Sequence, residues 1–230
     1  MKKPYAVLKQ HRFYFGGLLL SFIAGGLFLL LYGKEYTFLS LNSYHPFFLN
    51  VFFINYTFMG DGIFAICLIG LMFFYFKNKQ HGFALLYAFL FSGLVTQVLK
   101  NLISSPRPKI YFEQGTYLHF IDGVTLSGSS GFPSGHTATV FAIATAMILM
   151  MKNKNLQLLV LIAAIMVGYS RIYLAQHFLS DVLVGMIIGS AAGISAVYFA
   201  KNRIRFKRSI NRIHRMPHAP VSSTPGIQTA

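Results

Sequence analysis

The chain carries apolar runs long enough to cross a hydrocarbon layer of about 30 Å. A backbone inside that layer must satisfy every N–H and C=O internally, which leaves only helices and closed barrels. Runs of roughly 20 residues, rather than 10, select helices. Six are legible, at 13–32, 56–76, 82–99, 134–151, 156–173 and 178–200, the fourth and fifth being short. The expected fold is therefore all-α and polytopic: a six-span membrane domain over 1–200 and a basic tail over 201–230. MKKPYAVLKQHR precedes the first run and no clear small-residue cleavage site follows it, so that run reads as a retained helix rather than a cleaved leader.

Charge orients the spans. Of the 20 Lys and Arg residues, fifteen fall in 1–12, 77–81, 152–155 and 201–230, which share one side if the spans alternate. The positive-inside rule makes that side cytoplasmic, with both termini inside. The other five (Lys34, Lys100, Arg107, Lys109, Arg171) and all five acidic residues (Glu35, Asp61, Glu113, Asp122, Asp181) fall outside or toward outer helix ends. A net charge of +15 invites a nucleic-acid partner. Most of the excess is flanking charge, chiefly KNRIRFKRSINRIHR, which reads instead as a stop-transfer flank attracted to anionic lipid. Ile204, Phe206, Ile210 and Ile213 give it a weak apolar stripe, and PHAPVSSTPGIQTA after it lacks periodicity and reads as disordered. Lone Cys67 lies in an apolar run and forms no internal disulfide. The partner expected from these features is the lipid bilayer of a cytoplasmic (inner) membrane.

Two connections are unusual. Residues 33–55 are too aromatic for a solvated loop and too interrupted for a span, so a short helix in the outer interface is expected, started or kinked at Pro46. NYT at Asn55 matches a glycosylation acceptor but abuts a membrane run and is set aside. The long outer segment 100–133 ends in TLSGSSGFPSGH, and its aromatic middle, IYFEQGTYLHFID, is expected to rest on the membrane surface.

Three polar clusters interrupt this background: KNLISSPRP at 100–108, PSGH at 133–136 and SRIYLAQHFLSD at 170–181. On the topology above all three meet at the outer face. Taken singly, Lys100 and Arg107 can snorkel, Gly135 can cap a helix, and a His four residues before an Asp can be a structural pair. Gathered at one rim, three cations call for an anion, because clustered like charge near low dielectric is costly. Phosphate fits: Arg107 and Arg171 offer planar forks, Lys100 a point charge, and Ser134 and Gly135 open a helix whose free N–H groups favour negative charge. Prolines on both sides of Arg107 hold it extended. His177 and Asp181 share a helix face, so the carboxylate can take the proton of one ring nitrogen and leave the other as nucleophile. His136, on another helix, is then placed to act as the acid. No cofactor is called for, and the sequence has no carboxylate cage or Cys/His set with metal-ligand spacing.

K-x6-RP (Lys100, Arg107, Pro108), PSGH (Pro133 to His136) and SR-x5-H-x3-D (Ser170, Arg171, His177, Asp181) together resemble the three-part signature of the type 2 phosphatidic acid phosphatase (PAP2) superfamily. Its members include lipid phosphate, undecaprenyl-pyrophosphate, phosphatidylglycerophosphate and lipid A phosphatases. The resemblance implies a phosphohistidine on His177, an acid at His136, Asp181 orienting the nucleophile, and Lys100, Arg107, Ser134, Gly135 and Arg171 around the phosphate. MGDG at 59–62 is similar to an acidic turn of bacterial members; Asp61 reads either as a group supporting the site from behind or as a helix cap, and is left outside the site.

The expected activity is metal-independent hydrolysis of a phosphate or pyrophosphate on a membrane lipid, facing the periplasm or exterior. A phosphotransferase using the same site and a non-enzymatic phosphate-ligand binder or transporter are the alternatives.

Overall fold

A computed structural model describes residues 9–112, 119–121, 123–125, 128, 130–151, 153 and 155–213, with side chains of the last helix described to 203. Among these residues the chain is helical apart from its turns, its connecting segments and a single parallel bridge between Ser105 and Ser130. The helices are α1 (Arg12–Leu41), α2 (Phe47–Tyr56), α3 (Gly62–Gly70), α4 (Lys79–Leu102), α5 (Pro108–Tyr111), α6 (Gly135–Met150), α7 (Asn155–Tyr173) and α8 (Leu179–Ile213). The all-α expectation stands.

Helix α1 outruns the first expected span. Gly33 adopts φ 76°, a left-handed conformation that glycine takes without steric cost. The helix resumes beyond it, and there Thr37 Oγ1 donates to the carbonyls of Gly33 and Lys34 at 2.8 and 3.0 Å. Asn42 ends α1, and its Nδ2 donates to Ile172 and Tyr173 carbonyls at 2.9 and 2.8 Å. It thereby satisfies acceptors that the end of α7 leaves orphaned.

Pro46 precedes α2 with φ −68° and ψ 149°, as the start of a helix, and Phe47 and Phe48 on that helix are exposed. The helical segment continues past its expected interfacial portion: Phe47–Gly60 and Gly62–Tyr75 meet at 55°. The bend is at Asp61, whose extended backbone stops one segment while its Oδ1 accepts the Ile63 N–H at 2.8 Å and caps the next. A π-helical turn, Leu71–Tyr75, closes α3.

Helices α1, α4, α7 and the Leu179–Arg203 part of α8 are each long and apolar enough to cross a membrane. The six crossings expected from sequence require the bent pair and α6 to count as one each. Helix α6 has 16 residues, or about 24 Å at 1.5 Å per residue. It lies at the centre of the bundle, with every residue from Thr137 to Ala146 buried. What lets it sit there is α8: a Cβ at Gly185, Gly189 or Gly193 would meet the backbone oxygens of Ser134, Ala138 and Ala142 at 2.8, 2.3 and 2.6 Å. The two backbones touch, as small residues at four-residue spacing permit in membrane helix pairs.

Helix α8 continues past the expected end at residue 200 to Ile213. The side chains of the apolar stripe expected at Ile204, Phe206, Ile210 and Ile213, the tail beyond residue 213, and residues 113–118 between α5 and α6 lie outside what the structure describes.

Candidate active site

Lys100 sits in the last turn of α4. The chain then leaves the helix, and Arg107, between two prolines, takes φ −70° and ψ 159°, the extended geometry expected of it. This strand-like segment is stitched to the far end of the connection between α5 and α6. Arg107 N–H donates to Gly128 O at 3.1 Å and Gly131 N–H to Ser105 O at 2.8 Å. Only glycine allows the second contact, because a Cβ at residue 131 would lie 2.9 Å from Ser105 O. Arg107 Nη1 and Nη2 reach the carbonyls of Gln176 and Ser130 at 3.1 and 3.4 Å.

Ser134 caps α6: its Oγ accepts from Thr137 Oγ1 at 2.8 Å and from Thr137 N–H at 3.4 Å. Its own N–H donates to Asp181 O at 3.1 Å, tying the start of α6 to the start of α8. The first-turn amides of Gly135 and His136 have no partner within the helix, and Lys100 Nζ stands 4.0 Å from the position of a Gly135 Cβ.

The turn between α7 and α8 brings the third cluster in. Ala175 takes φ 50°, and the N–H groups of Gln176 and His177 fold back onto Arg171 O at 3.0 and 3.1 Å. Asp181 Oδ2 accepts Phe178 N–H at 2.9 Å, and its Oδ1 accepts Ser180 Oγ–H at 3.0 Å. An aromatic stack of Phe38, Phe112 and the fully buried Phe178 backs this turn, with Lys34 Nζ 3.9 Å from the Phe178 ring centre.

His177 is 2% exposed. The sequence predicts Asp181 as the acceptor for its ring, and the closer acceptor is Gly131 O, 2.6 Å from Nδ1, with Asp181 Oδ2 at 3.6 Å. Both neighbours only accept, so the hydrogen belongs on Nδ1 and Nε2 keeps its lone pair. Burial pushes this imidazole down to about 4, against the opposing pull of Asp181. His136 lies within electrostatic reach of Arg171, His177, Lys100 and Arg107. The structure thus brings together at one end of the bundle all eight residues picked out from sequence.

Sequence reasoning missed four neighbours. Asp61, left outside as a cap, is a cap and also places Oδ2 3.8 Å from His136 Nε2. Thr57 Oγ1 and Gln176 Oε1 accept the Arg171 guanidinium, whose Nε is buried without a partner. Thr96 Oγ1 is likewise buried and unpaired beside Gly135. Polar residues inside apolar runs were the available signal for Thr57, Asp61 and Thr96. A cleft of about 210 Å³ opens here, lined by Gly60, Gly93, Thr96, Lys100, Gly135 and His136 among others.

The family model of the PAP2 superfamily matches residues 81–205. A lipid A 1-phosphatase of Rhizobium johnstonii is 31% identical over 127 residues, covering 55% of this chain and 51% of that protein. The chain spans about half the length of the first of its curated relatives. Among solved structures, Aquifex aeolicus LpxE superposes with a TM-score of 0.62 at 29% identity, covering 72% of this chain and 94% of that one. A transmembrane PAP2-type phosphatidylglycerolphosphate phosphatase from Bacillus subtilis superposes at 0.59 and 27% identity, covering 81% and 95%.

Proposed function

This chain belongs to the PAP2 superfamily, and on that premise we propose that it is an integral-membrane phosphatase that removes a phosphate, from a monoester or a pyrophosphate, on a membrane lipid. The observation that carries the reading is the His177 ring: buried, with Nδ1 held by Gly131 O at 2.6 Å and Asp181 Oδ2 3.6 Å away, beside an arginine with an unpaired, buried Nε. The unpaired Thr96 hydroxyl lies in the wall of the adjoining cleft with Lys100, Gly135 and His136.

In the proposed cycle, the Nε2 lone pair of His177 attacks phosphorus and the bond to the leaving oxygen breaks. His136 gives its proton to that oxygen, releasing the lipid alcohol, or the lipid monophosphate from a pyrophosphate. Water then attacks the phosphohistidine and returns a proton to His136; the P–N bond breaks and inorganic phosphate leaves. Lys100, Arg107, Arg171, Ser134 and the Gly135 amide hold the non-bridging oxygens as charge moves, the main work of phosphoryl transfer. Three cationic side chains supply the positive charge that a metal would otherwise bring and would repel a metal from the same place, so the reading is metal-independent. The site faces the periplasm or exterior of a cytoplasmic membrane.

The test is phosphate release in detergent with EDTA from a panel of phosphatidic acid, phosphatidylglycerophosphate, undecaprenyl pyrophosphate and lipid A, run in ¹⁸O water. The reading expects turnover of at least one lipid and solvent oxygen in the released phosphate. Metal-dependent turnover, or phosphate passed to a second acceptor without solvent oxygen, would contradict it.

A further inference from the structure

Gln176 has no part in the chemistry above, yet it touches both phosphate-binding arginines. Its side-chain Oε1 accepts from Arg171 Nη2, and its backbone carbonyl accepts from Arg107 Nη1 at 3.1 Å. Its Nε2 donates to Val124 O at 2.8 Å. One residue later in the same loop, Thr125 Oγ1 donates to Leu174 O at 3.2 Å. The residue is 4% exposed and sits one position before the nucleophile, in the turn set by the left-handed Ala175.

The chemistry of an amide suits this place. An apolar side chain would leave the Arg171 Nη2 hydrogens buried without an acceptor. A carboxylate would accept them but place a fixed negative charge where a phosphate must come, and it has no hydrogen for Val124 O. Glutamine accepts on one side and donates on the other while remaining neutral. Arg171 is then held by Thr57 on Nη1 and Gln176 on Nη2, which leaves Nε as its buried nitrogen without a hydrogen-bond partner. A guanidinium fixed in this way needs no reorientation when an oxyanion arrives, which is where pre-organised binding gains affinity.

We propose that Gln176 is a positioning residue for phosphate binding: it orients Arg171 and Arg107 together and joins both to the outer loop at Val124. The proposal rests on the phosphate reading of the site. It places control of anion affinity in a side chain that itself need not touch the anion.

The experiment is a double-mutant cycle read by vanadate binding to the full chain in detergent. Gln176→Leu should weaken vanadate about tenfold or more, the order expected when a charge-assisted hydrogen bond that orients a ligand donor is lost. In an Arg171→Lys background the same change should add less than twofold, because residues acting through one another are not additive. Gln176→Glu keeps the acceptor for Arg171 and so controls for folding. It gives up the Val124 bond, so its melting temperature should fall, but by less than that of the leucine variant, while it loses about as much vanadate affinity. Additive penalties in the cycle, or a folded Gln176→Glu protein of unchanged affinity, would overturn the proposal. A wild type that shows this coupling but releases no phosphate from any lipid would sink the hydrolytic reading and leave Gln176 standing.

Discussion

The ring of His177 has its hydrogen fixed by a backbone carbonyl, and this matters for the pH at which the site works. A nucleophilic imidazole must be neutral, and burial shifts its protonation from 6.5 down to about 4. The sign follows directly: the neutral form persists through the range where an ordinary histidine would be charged, and is lost only as pH falls through that lower value. The acid limb of kcat/KM, corrected for the substrate's own ionisation, should therefore lie at about 4 rather than at the ordinary histidine value. The opposite limb should appear where His136 loses its proton, with values that belong to the coupled pair. An acid limb at 6.5 would show that His177 is not held as the structure has it. At this scale the sequence was legible for residue types and spacing, since histidine, arginine and lysine inside apolar runs demand an explanation. It was silent about Gly131, because a carbonyl contributed by a loop 46 positions away carries no side-chain signature. For Asp61 the capping role is local and readable, whereas its approach to His136 depends on how α3 packs.

At the scale of elements, the contact of α6 with α8 decides whether the site exists, since Ser134 and Asp181 are joined by the ends of these two helices. Gly189 is the tightest point, where a Cβ would lie 2.3 Å from Ala138 O. Gly189→Ala should destabilise by about 1–3 kcal/mol, the range for overpacking a close interface, seen as a lower melting temperature in detergent and a parallel loss of activity. Gly26→Ala, on α1 where a Cβ meets nothing within 4 Å, should be neutral or stabilising by up to about 1 kcal/mol. Equal effects at both positions would mean that the backbones do not touch. Apolar length and charge located most helices within a few residues. The bend at Asp61 and the extension of α1 past Gly33 escaped that reading, because hydropathy is blind to one residue leaving helical geometry when apolar residues continue on both sides. Helix α6 was legible as a short apolar run, but its central burial follows from glycines on a partner 50 residues away.

For the whole molecule, the distribution of Lys and Arg makes a claim that packing alone does not. The basic flanks at 1–12, 77–81, 152–155 and 201–230 should lie in the cytoplasm and the site opposite them. Single cysteines introduced at residues 78 and 109, with Cys67 replaced, provide the check. An impermeant maleimide applied to intact cells should label residue 109 and spare residue 78. The reverse pattern would put the site on the cytoplasmic face and change the leaflet from which substrate is drawn. The lipid itself was never legible, because the side chains proposed to bind phosphate carry no information about the rest of the lipid. The central claim is that a lipid phosphate bond is broken by transfer to one imidazole. Its most direct test is rapid quenching of the full chain during turnover of a lipid labelled in its phosphate, followed by peptide mapping under alkaline conditions that preserve phosphohistidine. The account predicts label on His177 and none in a His177→Ala protein, whose turnover should fall by several orders of magnitude. Label on another residue, or undiminished turnover without His177, would contradict it.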